Sequence, residues 1–136
     1  MPALKQRMIF ISHAWQYNEH YWTLVNWFNE EPNFAWKNCS VPSHDGLPDK
    51  TSKGLSEGMT RQISPAQVVI VLAGMYAAHS AWIDYEIREA TRMGKTIIGV
   101  APWGQERIPQ NVQDASVCPI VRWQRASVVQ TIRTYT

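Results

Sequence analysis

Trp82 and Glu86 stand four residues apart in the string Ser80-Ala81-Trp82-Ile83-Asp84-Tyr85-Glu86-Ile87. On a helix, that spacing stacks an indole and a carboxylate on one side, one turn apart. A carboxylate held beside an aromatic wall can stabilise positive charge that develops on a substrate. Ile83, Ile87 and Ala90 make a core stripe, so the Trp82–Glu86 pair is predicted beside it, at the boundary between core and solvent. The same helix has an ordinary solvated side, marked by Arg88, Glu89 and Arg92. Glu86 can therefore also be read as half of an ion pair, and Trp82 as a core aromatic.

Other chemistries lack their residues. A phosphate loop needs glycines spaced so that backbone N–H groups can approach an anion. Neither G-x-G-x-x-G nor G-x-x-x-x-G-K-[ST] occurs. The G-x-S-x-G elbow of α/β-hydrolases is missing too. The four histidines, His13, His20, His44 and His79, do not follow H-E-x-x-H spacing, and two cysteines alone cannot make a four-ligand zinc site. No metal is expected. A response-regulator receiver would carry acidic residues at the end of its first strand, where Ser12 and His13 stand, and an Asp where Gly74 ends the third.

The elements that must hold Glu86 follow from two alternating periods. Met8 to Ser12 is a continuous apolar run, the mark of a strand covered on both faces. Asn18 is a plausible cap for a helix whose Tyr21, Leu24, Val25 and Phe28 recur at helical spacing, and Glu31-Pro32-Asn33 ends it. Residues 35–41 read as a second strand and the turn-rich segment 42–49 as an exposed loop. A short helix is predicted over 54–63. Ala66 to Ala73 is the clearest buried strand. Ser80 then caps a helix running to about Met93 and closed by Gly94. Thr96 to Val100 is a fourth strand, residues 101–116 a loop, and Val117 to Val121 a fifth strand placed at an edge by Pro119. A helix over 126–133 turns Val128, Val129 and Ile132 inward.

This alternation predicts a three-layer α/β fold: a five-stranded, mostly parallel sheet with helices on both faces, of flavodoxin-like or TIR-like type. With 136 residues the chain is one domain, spanning 1–136. Ligands of such sheets bind outside the carboxyl ends of the strands. That directs attention to Ser12 to Trp15, the loop at 42–49, Gly74 to Ser80 and Ala101 to Gly104.

Composition narrows the class further. The chain is 45% hydrophobic and 18% charged with a formal charge of +2, and its arginines are spread singly. That argues against a nucleic-acid partner. No apolar run approaches the roughly 20 residues that span a bilayer, so no membrane role is expected. The opening residues lead straight into a strand with no signal-peptide pattern, so the expected compartment is cytoplasmic and reducing. Cys39 and Cys118 are then expected to be free, buried, structural thiols. With seven tryptophans, core or partial burial is the default, and the sequence does not say whether Trp103 and Trp123 belong to core or interface.

The string from Ser80 to Ile87 resembles the S-x-W-x-x-x-E-[LI] signature of Toll/interleukin-1 receptor (TIR) domains. Phe10-Ile11-Ser12-His13 resembles the end of their first strand. Pro102-Trp103-Gly104-Gln105 with Ile108-Pro109, then Val121-Arg122-Trp123, resemble the TIR-like branch that includes the sensor subunit of the Thoeris antiphage system. The resemblance covers nearly the whole chain, in order.

Catalytic TIR domains break the nicotinamide–ribose bond of NAD, which is a substrate and not a cofactor. The resemblance implies that Glu86 stabilises the positive charge developing on the ribose. It implies that Trp82 shapes the pocket and can stack on the substrate, that Ser12 and His13 line it, and that Asp45 gates it or touches the ribose. Each has a plainer role open to it. Ser12 can satisfy a strand end, His13 can be a surface histidine, Asp45 a turn residue and Ser80 a cap rather than a ligand. The Thoeris likeness favours a cyclic ADP-ribose-type signal that activates a separate effector. Two further readings stay open. Many TIR domains only bind other TIR domains or themselves, and nucleoside deoxyribosyltransferase-like enzymes share the layout and a carboxylate nucleophile.

Overall fold

The computed structural model describes residues 6–11, 19–40, 63–72, 76–101 and 110–136, with the side chains of 19, 76–83 and 111 excepted. Five strands are β1 (Arg7–Ile11), β2 (Trp36–Asn38), β3 (Val68–Leu72), β4 (Thr96–Ala101) and β5 (Val121–Arg122). Among the described residues, the helices seen from end to end are α1 (Glu19–Glu30), α2 (Tyr76–Arg92), α3 (Gln110–Ala115) and α4 (Arg125–Tyr135). The sheet has the order β2-β1-β3-β4-β5, and every pair is parallel. α1 crosses from β1 outward to β2, whereas α2 crosses from β3 toward the other edge. Right-handed crossovers in opposite directions put these helices on opposite faces. α1 then packs with α4, and α2 with α3, which makes three layers.

β3 sits at the centre because its side chains are apolar on both faces. Val68, Val69, Ile70, Val71 and Leu72 are each fully buried. Its register runs Ile9 to Val68 on one side and Val68 to Thr96 on the other. On α1, Tyr21, Leu24, Val25 and Phe28 are all buried as their spacing predicts, and Val128, Val129 and Ile132 are the buried residues of α4. α2 ends as read from Gly94, which has φ +70°. There the Gly94 N–H donates to Thr91 O and the Lys95 N–H to Ala90 O, the paired bonds of a left-handed helix cap.

Several local expectations are corrected. α2 begins at Tyr76, so Ser80 lies inside the helix and does not cap it. Nothing in Tyr76-Ala77-Ala78-His79 interrupts a helix, and alanine favours one more than any other residue. The expected loop 101–116 contains α3. β5 is two residues long and follows Pro119 rather than including it. Proline has no N–H for a ladder, so pairing with β4 is confined to Val100–Val121 and Ala101–Arg122. Nearer the start of β4, single contacts replace the ladder: the Val117 N–H donates to Ile97 O at 2.8 Å, and the Gly99 N–H to Ser116 Oγ at 3.0 Å. β2 spans three residues of the seven read as strand. Of the helix expected over 54–63, only Ile63 is among the described residues, and it is buried. Cys39 and Cys118 are free but only half-buried, outside any strand. Partial burial raises the Cys39 thiol above its ordinary value, against the opposing pull of Lys37 and Lys95, which suits an inert thiol.

The α1–α4 contact is tied by charge. Glu31 accepts from Arg125 Nε at 3.0 Å and lies 3.7 Å from Arg133 Nη1. Arg133 Nη2 also donates to Pro32 O at 3.0 Å, just where Asn33 turns left-handed with φ 59°. These groups are partly exposed, so the ion pairs are worth about 1 kcal/mol together. Glu31→Gln is expected to lower Tm by roughly 3–5 °C at low salt. The shift should shrink in molar salt, measured by thermal melts at both ionic strengths.

Candidate active site

The chain runs from β1 to the β2 side and returns to place β3 on the other side of β1. The strand order therefore reverses between β1 and β3, and ligand crevices of open parallel sheets form at the carboxyl ends of such strands. β1 ends at Ile11, opposite Ile70, so Ser12 and His13 follow directly in sequence from that edge. α2 descends from the same edge after β3 and packs on β3, β4 and α3.

Glu86 lies on the face of α2 that meets the sheet. It is 4% exposed, beside Ile87 at 8% and Ala90 at 0%. This corrects the expected position at the core–solvent boundary. The positions 83, 86, 87 and 90 are spaced i, i+3, i+4, i+7, so the carboxylate occupies a member of the core stripe itself. It also lies ten residues past Tyr76, nearly three turns into the helix. Because Cβ atoms tilt toward a helix N-terminus, the position favours reach toward the strand-end edge. The solvated side of α2 is as expected: Arg92 grips Glu89 through Nε at 2.9 Å and Nη2 at 2.8 Å, and Arg88 stands over the Tyr85 ring.

A carboxylate withdrawn from water costs several kcal/mol unless its surroundings compensate. An apolar residue in that stripe would carry no such desolvation cost. Placing a charge there is the pattern of functional sites, where local rules of stability are broken for chemistry.

Of the other predicted site residues, Trp82 occupies a position one turn above Glu86 and about 40° from it around the axis. Ser80 is about 120° from Glu86, on the opposite flank of the stripe. Ser12, His13, Asp45 and Trp103 lie outside the described residues. Trp123 packs in the core layer between α1 and β5, 4.7 Å from Trp27 and 5.3 Å from His20 by ring centroids. Among the described residues, no group of His, Cys, Asp and Glu is arranged to hold a metal ion, and no helix is long and apolar enough to cross a membrane.

A surface hollow of about 360 Å³ lies elsewhere, between α1 and α4, lined by Glu31, Arg125, Ala126, Val129, Gln130 and Arg133. It is across the sheet from α2, and its guanidiniums are already engaged with Glu30 and Glu31. It is a seam between the two helices.

One polar cluster escaped the sequence reading. Asn38, the last residue of β2, donates from Nδ2 to the Tyr21 hydroxyl at 2.7 Å, and its Oδ1 accepts from the Ser40 N–H at 2.9 Å. By spacing alone, Tyr21 is a member of the apolar face of α1. The available signal was Asn-x-Ser at a strand end, a pattern that turns the chain on its own side chain.

The strand order and the three layers define a flavodoxin-like α/β domain, and its second helix buries a carboxylate. Within that class, the chain belongs to the family of TIR-like domains of the Thoeris protein ThsB, whose family model matches residues 10–107. No curated protein matches the sequence. Among solved structures, the chain is similar to the CMP N-glycosidase BcmB of Clostridium botulinum, with TM-score 0.57 and 14% identity, over 95% of this chain and 100% of that one. At that identity the likeness is one of fold.

Proposed function

We propose that the protein cleaves the nicotinamide–ribose bond of NAD and forms a cyclic ADP-ribose-type signal in antiviral defence. The observation that carries the reading is the burial of Glu86 in the core stripe of α2, below the strand-end edge, in a chain of the ThsB family. Nicotinamide leaves as a neutral ring from a cationic pyridinium, and positive charge passes to the ribose. A fixed carboxylate in a site of low dielectric stabilises that charge far more than water does. Trp82, one turn away, would wall the pocket, with Ser12 and His13 lining it from the end of β1 and Asp45 closing it. Ser80, on the other flank of α2, would touch substrate only across the helix. Attack by a nucleophilic group of the same molecule, in place of water, gives the cyclic product. That product would reach a separate effector, and self-association, or association with other TIR domains, would complete the pocket.

A second reading keeps the chemistry and changes the substrate. BcmB is a CMP N-glycosidase with the same fold across its whole length, so a nucleotide with a neutral base is the competitor. The test is incubation of the protein with NAD and, separately, with CMP, dilute and under crowding, with products identified by mass spectrometry. Nicotinamide plus a cyclic isomer supports the proposal. Free cytosine with intact NAD supports the competitor. Both substrates untouched under every condition would leave an interaction module.

A further inference from the structure

Of the described residues outside the apolar set, two are buried: Glu86 and Ser40, the latter 6% exposed. Glu86 is assigned to the chemistry above, and Ser40 is not. Ser40 Oγ donates to Asn38 Oδ1 and lies 3.4 Å from the Tyr21 hydroxyl, which is itself on a fully buried residue. The three side chains thus form one unit joining the first turn of α1 to the end of β2. Buried polar groups linked in this way are ordered together and lost together.

The location gives the unit its purpose. The β1–β2 register pairs Ile9 with Asn38, and the ladder continues with the Cys39 N–H donating to Ile9 O at 2.8 Å. Ser40 lies two residues beyond Asn38, the last residue of β2. Ser40 therefore follows the carboxyl end of β2, and its amide is held by Asn38 rather than by a neighbouring strand.

We propose that Tyr21, Asn38 and Ser40 are positioning residues that fix the backbone at the carboxyl end of β2 so that the strand-end edge is shaped for substrate before it binds. The inference rests on the strand-end reading of the active site. The hydroxyl of Tyr21 orients Asn38, Asn38 holds the Ser40 amide and hydroxyl, and the exit of β2 is thereby set. None of the three has to touch the reacting bond. Preorganisation of this kind lowers the cost of ordering the site on binding, so its loss falls on substrate capture more than on bond cleavage.

Tyr21→Phe keeps the ring and removes the hydroxyl. With NAD as substrate, it should raise KM about fivefold or more while kcat stays within about twofold. Hydrogen exchange at the Ser40 amide should speed up by about tenfold. Asn38→Asp is the conservative partner: its carboxylate still accepts from Ser40 and accepts a hydrogen bond donated by the Tyr21 hydroxyl, so KM should stay close to the parent value. A fall in Tm in Tyr21→Phe with KM unchanged would reduce the unit to a structural staple and overturn the proposal. Unchanged exchange at Ser40 would overturn it as well. Parent protein that turns over neither NAD nor CMP defeats the active-site reading, and this inference with it. Normal parent turnover with an unmoved KM in the variant defeats this inference alone.

Discussion

Glu86→Gln is expected to abolish nicotinamide release from NAD, by about a thousandfold or more, while the protein stays folded. The substitution keeps the shape and size of the side chain and removes the charge. If the carboxylate stabilises positive charge on the ribose, an amide of the same shape cannot replace it. The stability result is as informative as the activity. Glu86 is 4% exposed, and a buried carboxylate is costly to desolvate. Replacing it by a neutral isostere should leave Tm unchanged or raise it by a few degrees, the usual trade between stability and activity at a catalytic position. A Glu86 retained for an ion pair within the fold predicts the reverse: Tm falls and any turnover survives. Melting curves and product analysis on the same preparation separate the two.

Gly99→Val is expected to cost about 3 kcal/mol or more and to lower Tm by roughly 10 °C. A Cβ at Gly99 would lie 2.5 Å from Ile120 Cδ1 and 3.2 Å from Val112 Cγ1. Ile120 can swing aside, being only partly buried, but Val112 is fully buried and branched at Cβ. The glycine in β4 is what lets α3 and the turn before β5 lie directly against the sheet. Its amide is satisfied by Ser116 Oγ, so displacing that turn would also leave a buried N–H without its acceptor. Gly99→Ala should cost less, because one methyl group needs only Ile120 to move. A valine variant as stable as the parent would show that the α3–β5 segment packs more loosely than described.

The sequence determined the central elements by itself. β1, β3 and β4 are runs of residues apolar on both faces, and α1 and α4 repeat their apolar residues every three or four. Such periods are local, and they match where the side chains are buried. From them the α/β alternation, the parallel sheet and its carboxyl edge all followed, as did Glu86 as the residue to examine and Gly94 as the end of α2. Only the tertiary structure decided where Glu86 points. A charge at position 86 reads as lying at the boundary between core and solvent because burial is normally unfavourable to it, and only the packed helix shows that a core position carries a carboxylate. It also decided that β5 starts after Pro119, that α3 fills a segment too short for a clear period, and that Tyr21 meets Asn38 and Ser40 from 17 to 19 residues away. Local sequence encodes which face of an element is apolar. It does not encode which polar groups from distant elements arrive at the same edge, because that is set by the order in which the strands pair.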